Sequence, residues 1–262
     1  MVTRNELITF IHQTIGSDLL ARANSLDENA NGVQVHGAEK VNKIALGVST
    51  NLEFFHEAAS AGAQFVLTHH GIHLSHRYMY NSRLDQSQQA ILKYVFAHDL
   101  TVAGYHYSLD AHPTLGNNAT IIRELGATRL EEPYFEGWGW VGELEKPVSA
   151  KELANKLATI TSHDVLAIYG GPKLVKRIGV CSGGAKPMGE NIHNIFDHQI
   201  DLHITGEIAE GGPGIAKDAG FNYFAAGHYA TEVFGVQELG KKLKAHYKDQ
   251  LEVEFIDILN EL

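Results

Sequence analysis

Two adjacent histidines close the apolar run Phe65-Val66-Leu67 in the segment Thr68-His69-His70-Gly71. Two further histidines each stand four residues ahead of a carboxylate, His106 before Asp110 and His228 before Glu232. Neutral imidazole and carboxylate oxygen suit Zn, Mn, Fe, Co or Ni, and a bridging carboxylate lets two ions sit about 3.5–4 Å apart. Adjacent side chains on an extended backbone point to opposite sides, so one histidine pair at a strand end carries little weight by itself. The convergence of four histidines and two acids carries more. Two readings stand side by side: a metal site, or histidines satisfied inside a core. His12, His56, His98, His163 and His246 fall in segments read as helices, where a solvated ring is the plainer account.

The elements that must position these residues follow an α/β grammar. Thr3 with Glu6 forms a capping box before an amphipathic helix to about Gly16. Lys43 to Val48 reads as a strand, Thr50 with Glu53 caps a helix that stops near Gly62, and Gln64 to Thr68 is a short buried strand ending at the histidine pair. A helix over Asp85 to His98 and a strand over Leu100 to Gly104 follow, an alternation that predicts a layered α/β fold. Every candidate ligand then falls at the C-terminal end of a predicted strand, where open α/β sheets place their ligand sites.

The second half repeats this order. Arg177 to Val180 mirrors the Lys43 strand, Asp201 to Glu207 corresponds to the stretch from Phe65 through His70, and Ala226-Gly227-His228-Tyr229 parallels Ala103-Gly104-Tyr105-His106-Tyr107. Helices over about Glu190 to Phe196 and up to Gly220 separate these strands. An insert over 127–172 carries a strand over Trp138 to Leu144, a capping box of Ser149 with Glu152 before a helix to about Ile160, and a strand over Val165 to Tyr169. After Glu232 come a helix through Tyr247 and a strand near Val253 to Ile256. The expected organisation is therefore two similar, interlinked α/β domains born of internal duplication. The first spans 1–126, with 229–262 packing back onto it, and the second spans 127–228, including the insert.

Composition narrows the function classes. With 44% hydrophobic residues over 262 positions the chain can bury an ordinary core, and no apolar run reaches the roughly 20 residues that span a bilayer. One cysteine, Cys181, excludes an intrachain disulfide and a four-cysteine zinc cage, and it points to a reducing cytoplasm. A net charge of −10 opposes non-specific binding to phosphate backbones, which weighs against a nucleic-acid partner.

At this point the motifs resemble a known family. Asn31-Gly32-Val33-Gln34-Val35, Thr68-His69-His70-Gly71, Tyr105 through Pro113 with Gly116-Asn117-Asn118, Thr205-Gly206-Glu207, and Gly227-His228-Tyr229-Ala230-Thr231-Glu232 are similar, in order, to the motif series of the Nif-three-like family. Its members bear the name GTP cyclohydrolase I type 2 homologue, and this chain resembles the compact bacterial form. The resemblance implies a Nif-three-like fold, a dinuclear metal site between the two halves, and a homohexamer built as a trimer of dimers or toroid. It implies that His70 and Asp110 hold one divalent ion, that His69 and His228 hold the other, and that Glu232 bridges them. His106 takes a family position close to the metals. Glu207 stands where the second copy matches His70, a candidate general base or a plain loop carboxylate. Gly71 departs from the proline common in the family at that place.

The function implied is metal-dependent hydrolysis of a nucleotide or related small molecule, GTP in the cyclohydrolase version, through a metal-activated water. His106 and Glu207 are the candidate catalytic residues, and Fe, Mn, Zn, Ni or Co the candidate ions. The rival is a metal-dependent hexameric scaffold or interaction protein without turnover. A third reading is a mononuclear hydrolase built on His106, Asp110 and His112. No P-loop is present, because Gly179 through Lys186 sets its lysine one place late and lacks the following hydroxyl, although Ser182-Gly183-Gly184 could approach a phosphate or simply turn.

Overall fold

The computed structural model describes residues 1–73, 84–258 and 260. The described chain forms two compact units, the first of Met1–Leu109 with Gly235–Leu259 and the second of Asp110–Phe234 with Asn260–Leu262.

In the first unit a five-stranded sheet runs in the order Glu252–Phe255, Lys43–Gly47, Phe65–Thr68, Thr101–Tyr105, Asn31–Val35. The first four strands are parallel and Asn31–Val35 closes the edge antiparallel. Side-chain alternation along the strands feeds two apolar layers. Ile44, Leu46, Phe65 and Leu67 pack with Leu7, Ile11 and Ile15 of helix Arg4–Ile15 and with Val236, Leu239 and Leu243 of helix His228–Tyr247. Ala45, Val66 and Val102 pack with Phe54, Phe55 and Ala58 of helix Leu52–Ser60 and with Ile91 and Val95 of helix Gln86–Ala97. Both faces are covered, so these short strands read as continuous apolar runs.

The second unit holds a six-stranded sheet in the order Ala127–Tyr134, Gly139–Ser149, Leu174–Val180, Leu202–Thr205, Asn222–Ala225, Leu166–Tyr169. Its central three strands are parallel and the flanking ones antiparallel. Ile178, Val180, Leu202, Ile204 and Phe224 pack with Ile121 and Ile122 of helix Asn117–Glu124 and with Leu153 and Leu157 of helix Ala150–Thr161. Tyr134, Val141 and Tyr223 form the other layer with Ile195 and Ala216.

The duplication is visible in topology. An antiparallel edge strand, then three parallel strands with helices between them, recurs as Asn31–Val35, Lys43–Gly47, Phe65–Thr68, Thr101–Tyr105 and as Leu166–Tyr169, Leu174–Val180, Leu202–Thr205, Asn222–Ala225. The copies part at the last strand. Thr68 lies opposite Gly104, two residues before His106, whereas Thr205 lies opposite Ala225, three before His228. His228 is consequently the first residue of its helix, with Glu232 one turn on, while His106 precedes the short helix Tyr107–Asp110. The shared His-x-x-x-acid spacing is thus not one geometry used twice.

Three local expectations change. Asn51, not Thr50, caps helix Leu52–Ser60, accepting from the Phe54 amide at 2.8 Å, and Thr50 Oγ1 instead donates to the Gly71 carbonyl at 2.8 Å. Ser149 precedes helix Ala150–Thr161 but makes no side-chain cap. The units divide at residue 109 rather than 126, because Ile121, Ile122 and Leu125 are buried in the second unit's core. Among the described residues no helix is long and apolar enough to cross a membrane.

Candidate metal centre

In the first unit, strands Phe65–Thr68 and Thr101–Tyr105 deliver His69, His70 and His106 to one place. The three rings sit with centroids 5.0 Å (His69–His70), 4.9 Å (His69–His106) and 5.3 Å (His70–His106) apart. One ring nitrogen from each lies within 4.8 Å of the others, and His69 is fully buried. The adjacent histidines therefore converge instead of facing opposite sides, because both lie beyond the strand end at Thr68, in a bend where strand alternation no longer holds. Backbone bonds from the His69 amide to Gly47 O (3.1 Å) and from the His70 amide to Val48 O (2.8 Å) fix that bend.

The residues that follow are tied just as firmly. Thr50 holds the Gly71 carbonyl, and the Gln34 carboxamide pairs with both backbone groups of Ile72, accepting at 2.7 Å and donating at 2.8 Å. A Cβ on Gly71 would meet Gln34 Oε1 at 2.5 Å and Ala30 Cβ at 2.6 Å, which gives the glycine at this place a packing reason. The Asn31 to Val35 motif thus acts as a clamp on the histidine loop.

Asp27 is a site residue that motif reading missed. Its side chain is 2% exposed and its Oδ2 lies 2.8 Å from His106 Nδ1. Burial pushes the carboxyl up, but bonds from His106, the Asn29 amide and Asn31 outweigh it and hold Asp27 below its ordinary value. The two residues are 79 apart in sequence with no pattern linking them. A cleft of about 290 Å³ opens alongside, lined by Asn24, Asn29, Asn31, Gln34, Ile72 and His73 among others.

In the second unit the acidic candidates are placed by side chains around them. Asp110 is buried, and its Oδ1 accepts from Asn117 Nδ2 at 2.9 Å and Ser182 Oγ at 2.8 Å. Asn118 receives the Ser182 amide at 2.7 Å and donates to Asp110 O and Trp138 O. His228 Nε2 lies 3.2 Å from Glu232 Oε1, one helical turn on, and Glu232 is 2% exposed. Gly183 takes φ +64°, and a Cβ there would collide with Glu232 Oε1, so this turn after strand Leu174–Val180 has to be glycine to seat the carboxylate.

Glu207 is engaged at both oxygens, paired with Lys186 Nζ through Oε2 and with His228 Nδ1 at 2.5 Å through Oε1. The Lys186 bond first, and then His228, hold its carboxyl below the usual value, overcoming burial. Burial alone would lower His228, yet its bonds to Glu232 and Glu207 raise it to about 9. A carboxylate on Nδ1 is the arrangement that orients ligating histidines, and here it turns Nε2 of His228 toward Glu232. Lys186, one place late for a P-loop lysine, instead holds Glu207. His112 Nδ1 accepts the Thr114 and Leu115 amides at 3.2 and 3.1 Å, a turn cap that withdraws that nitrogen from the mononuclear reading.

The donor set is imidazole nitrogen and carboxylate oxygen, with carboxylates bound to Nδ1 of His106 and His228, and such a set fits Zn, Mn, Fe, Co or Ni. The clustered side chains of the first unit could hold a divalent ion.

Comparison with known proteins is consistent across the chain. The family model for Duf34/NIF3 (NGG1p interacting factor 3) matches residues 2–261. A Haemophilus influenzae protein called GTP cyclohydrolase 1 type 2 homolog is 33% identical over 266 residues, covering 97% of this chain and 98% of that one. A protein of the same name from Escherichia coli K12 is 35% identical over 256 residues, covering 96% and 98%. Among solved structures, protein ybgI, titled as of unknown function, superposes with a TM-score of 0.86 at 33% identity over the full length of both chains. Reduced HcgD from Methanocaldococcus jannaschii shares the fold, with a TM-score of 0.80 at 22% identity and 98% coverage of each chain.

Proposed function

Because this chain belongs to the Duf34/NIF3 (NGG1p interacting factor 3) family, we propose that it is a dinuclear-metal protein acting as a hydrolase on a nucleotide or related small molecule, in the manner its relatives' name suggests. The observation that carries the proposal is the group of three imidazoles, a nitrogen of each within 4.8 Å of the others, at the C-terminal ends of adjacent parallel strands. His69, His70, Asp110, His228 and Glu232 would hold the two ions. Homohexamer assembly is part of the same proposal.

When bound, the two ions would lower the pKa of a water toward neutrality and polarise the substrate oxygen. The chain's own groups do the rest. Asp110 would be held in place as a ligand by the bonds of Asn117 and Ser182 to its Oδ1. Glu207 occupies Nδ1 of His228 and so fixes the ring orientation in which His228 would meet an ion, a positioning role beside its candidacy as general base. His106 is the proton acceptor, with its Nε2 left open by the bond to Asp27 through Nδ1. The cleft of about 290 Å³, lined in part by Asn29, which approaches His106, is just under the usual size of small-molecule sites.

The test is a screen of protein loaded with Mn, Fe, Zn or Ni against GTP, other nucleotides, phosphoesters and cyclic amides. Metal-dependent turnover is expected, lost in Glu232→Ala with the oligomer intact. No turnover on any of them, with both ions bound, would favour the scaffold reading.

A further inference from the structure

We infer that Asp27 is the positioning residue of His106, fixing the imidazole as its Nδ1–H tautomer and handing the Nε2 lone pair to the group it forms with His69 and His70. The inference deepens the metal-centre reading and rests on it for its consequence, though not for its geometry.

The argument begins with what an ionised carboxylate can do. It only accepts, so the nitrogen bonded to it must carry the proton. Oδ2 of Asp27 receives His106 Nδ1 at 2.8 Å, Asn31 Nδ2 at 2.9 Å and the Tyr107 amide at 3.1 Å, while Oδ1 receives the Asn29 amide at 2.9 Å. Four donors converge on a side chain that is 2% exposed, so the carboxylate is fixed in place rather than sampling solvent. The Asn29 carboxamide also approaches His106 Nδ1, at 3.4 Å, but the shorter, charge-assisted bond to Asp27 decides the tautomer.

The surroundings oppose any other arrangement. The His106 amide bonds to Ala30 O at 3.2 Å, and the Leu109 amide returns to His106 O at 2.8 Å, so the backbone on both sides is fixed. Tyr107 stacks on the imidazole at 4.7 Å with an interplanar angle of 21°. With Nδ1 committed to Asp27, the nitrogen left for the cluster is Nε2. In the second unit a carboxylate likewise sits on a histidine Nδ1, Glu207 on His228, although there Nε2 faces Glu232.

Two substitutions separate charge from hydrogen bonding. Asparagine at 27 keeps an acceptor for His106, because its oxygen belongs at the Oδ2 place, where three donors converge, and its amide nitrogen at the other, where one bond is lost. Alanine removes the acceptor entirely. The experiment is long-range 15N–1H NMR on metal-free protein labelled at histidine, with the His106 signal assigned from His106→Gln, followed by Co(II) affinity measured by chelator competition. Wild type and Asp27→Asn are expected to carry the proton on Nδ1. Asp27→Ala is expected to move it to Nε2, while Asp27→Asn stays near wild type. A wild-type Nε2–H tautomer, a measurement that needs no variant to fold, would overturn the inference, as would an Asp27→Ala protein that keeps the proton on Nδ1. A wild-type protein with the Nδ1–H tautomer that takes up no Co(II) would sink the metal-centre reading while still supporting Asp27 as the residue that fixes the ring.

Discussion

His69→Ala and Asp110→Ala proteins, purified and loaded with excess Zn, are each expected to carry about one ion fewer per chain than the wild type by elemental analysis. His69 is fully buried and its ring is one of three that converge in the first unit, so removing it leaves His70 and His106 to face each other across a gap. Metal binding by a four-ligand protein site is worth roughly 10–16 kcal/mol, so each ligand's share is about 3 kcal/mol, or on the order of 100-fold in affinity. Asp110 offers a cleaner variant, because Asp110→Asn keeps a carbonyl oxygen for Asn117 Nδ2 and Ser182 Oγ. It should keep the fold and lose the charge. Unchanged metal content in both His69→Ala and Asp110→Ala would remove these residues from the ligand set.

The second large effect is on stability, at a residue away from the proposed ligands. His203 is fully buried on strand Leu202–Thr205. Its Nε2 lies 2.8 Å from Ala185 O and its Nδ1 2.8 Å from the Tyr134 hydroxyl, with Phe135 stacked at 5.1 Å. A carbonyl can only accept, so Nε2 carries the proton and Nδ1 accepts from Tyr134: a single neutral tautomer. Burial, partly offset by the Ala185 bond, lowers His203 to about 4 from an ordinary 6.5.

The folded value lies below the unfolded one. Between pH 6.5 and pH 4 the unfolded chain therefore takes up a proton that the folded chain refuses, and stability falls as the pH falls across that window, by about 3 kcal/mol. His203→Asn cannot titrate. It is expected to be less stable than wild type at pH 7, with the gap narrowing by about 3 kcal/mol at pH 4 in urea denaturation. A gap that stays constant would contradict this account of the ring. The residue also bears on the site, because its bond to Ala185 O anchors the turn whose next residue, Lys186, pairs with Glu207.

The parts of the fold legible in the sequence are those set by local chemistry. The capping box of Thr3 with Glu6 starts helix Arg4–Ile15, and Asp85 with Gln88 starts Gln86–Ala97, because a side-chain oxygen three residues ahead of an amide is a local signal. The repeat was legible because apolar runs ending in similar residues recur, and topology bears it out. What sequence left hidden depends on distance. Asp27 meets His106 across 79 positions, and Lys186 meets Glu207 across 21, both through loops without periodicity. The cap lies at Asn51 and not Thr50, although Thr50 with Glu53 spells a capping box, because Asn is the stronger cap and the Thr50 hydroxyl is taken by Gly71 O. The one-residue offset between His106 and His228 is a matter of strand register, which matching letters cannot reveal.

The claim at the centre is that His69, His70, Asp110, His228 and Glu232 hold two ions. It is tested most directly by a metal-edge anomalous map from crystals of the metal-loaded protein. The account predicts two peaks about 3.5–4 Å apart, the separation of bridged two-metal sites, with Glu232 touching both. A single peak, or peaks among other residues, would contradict it.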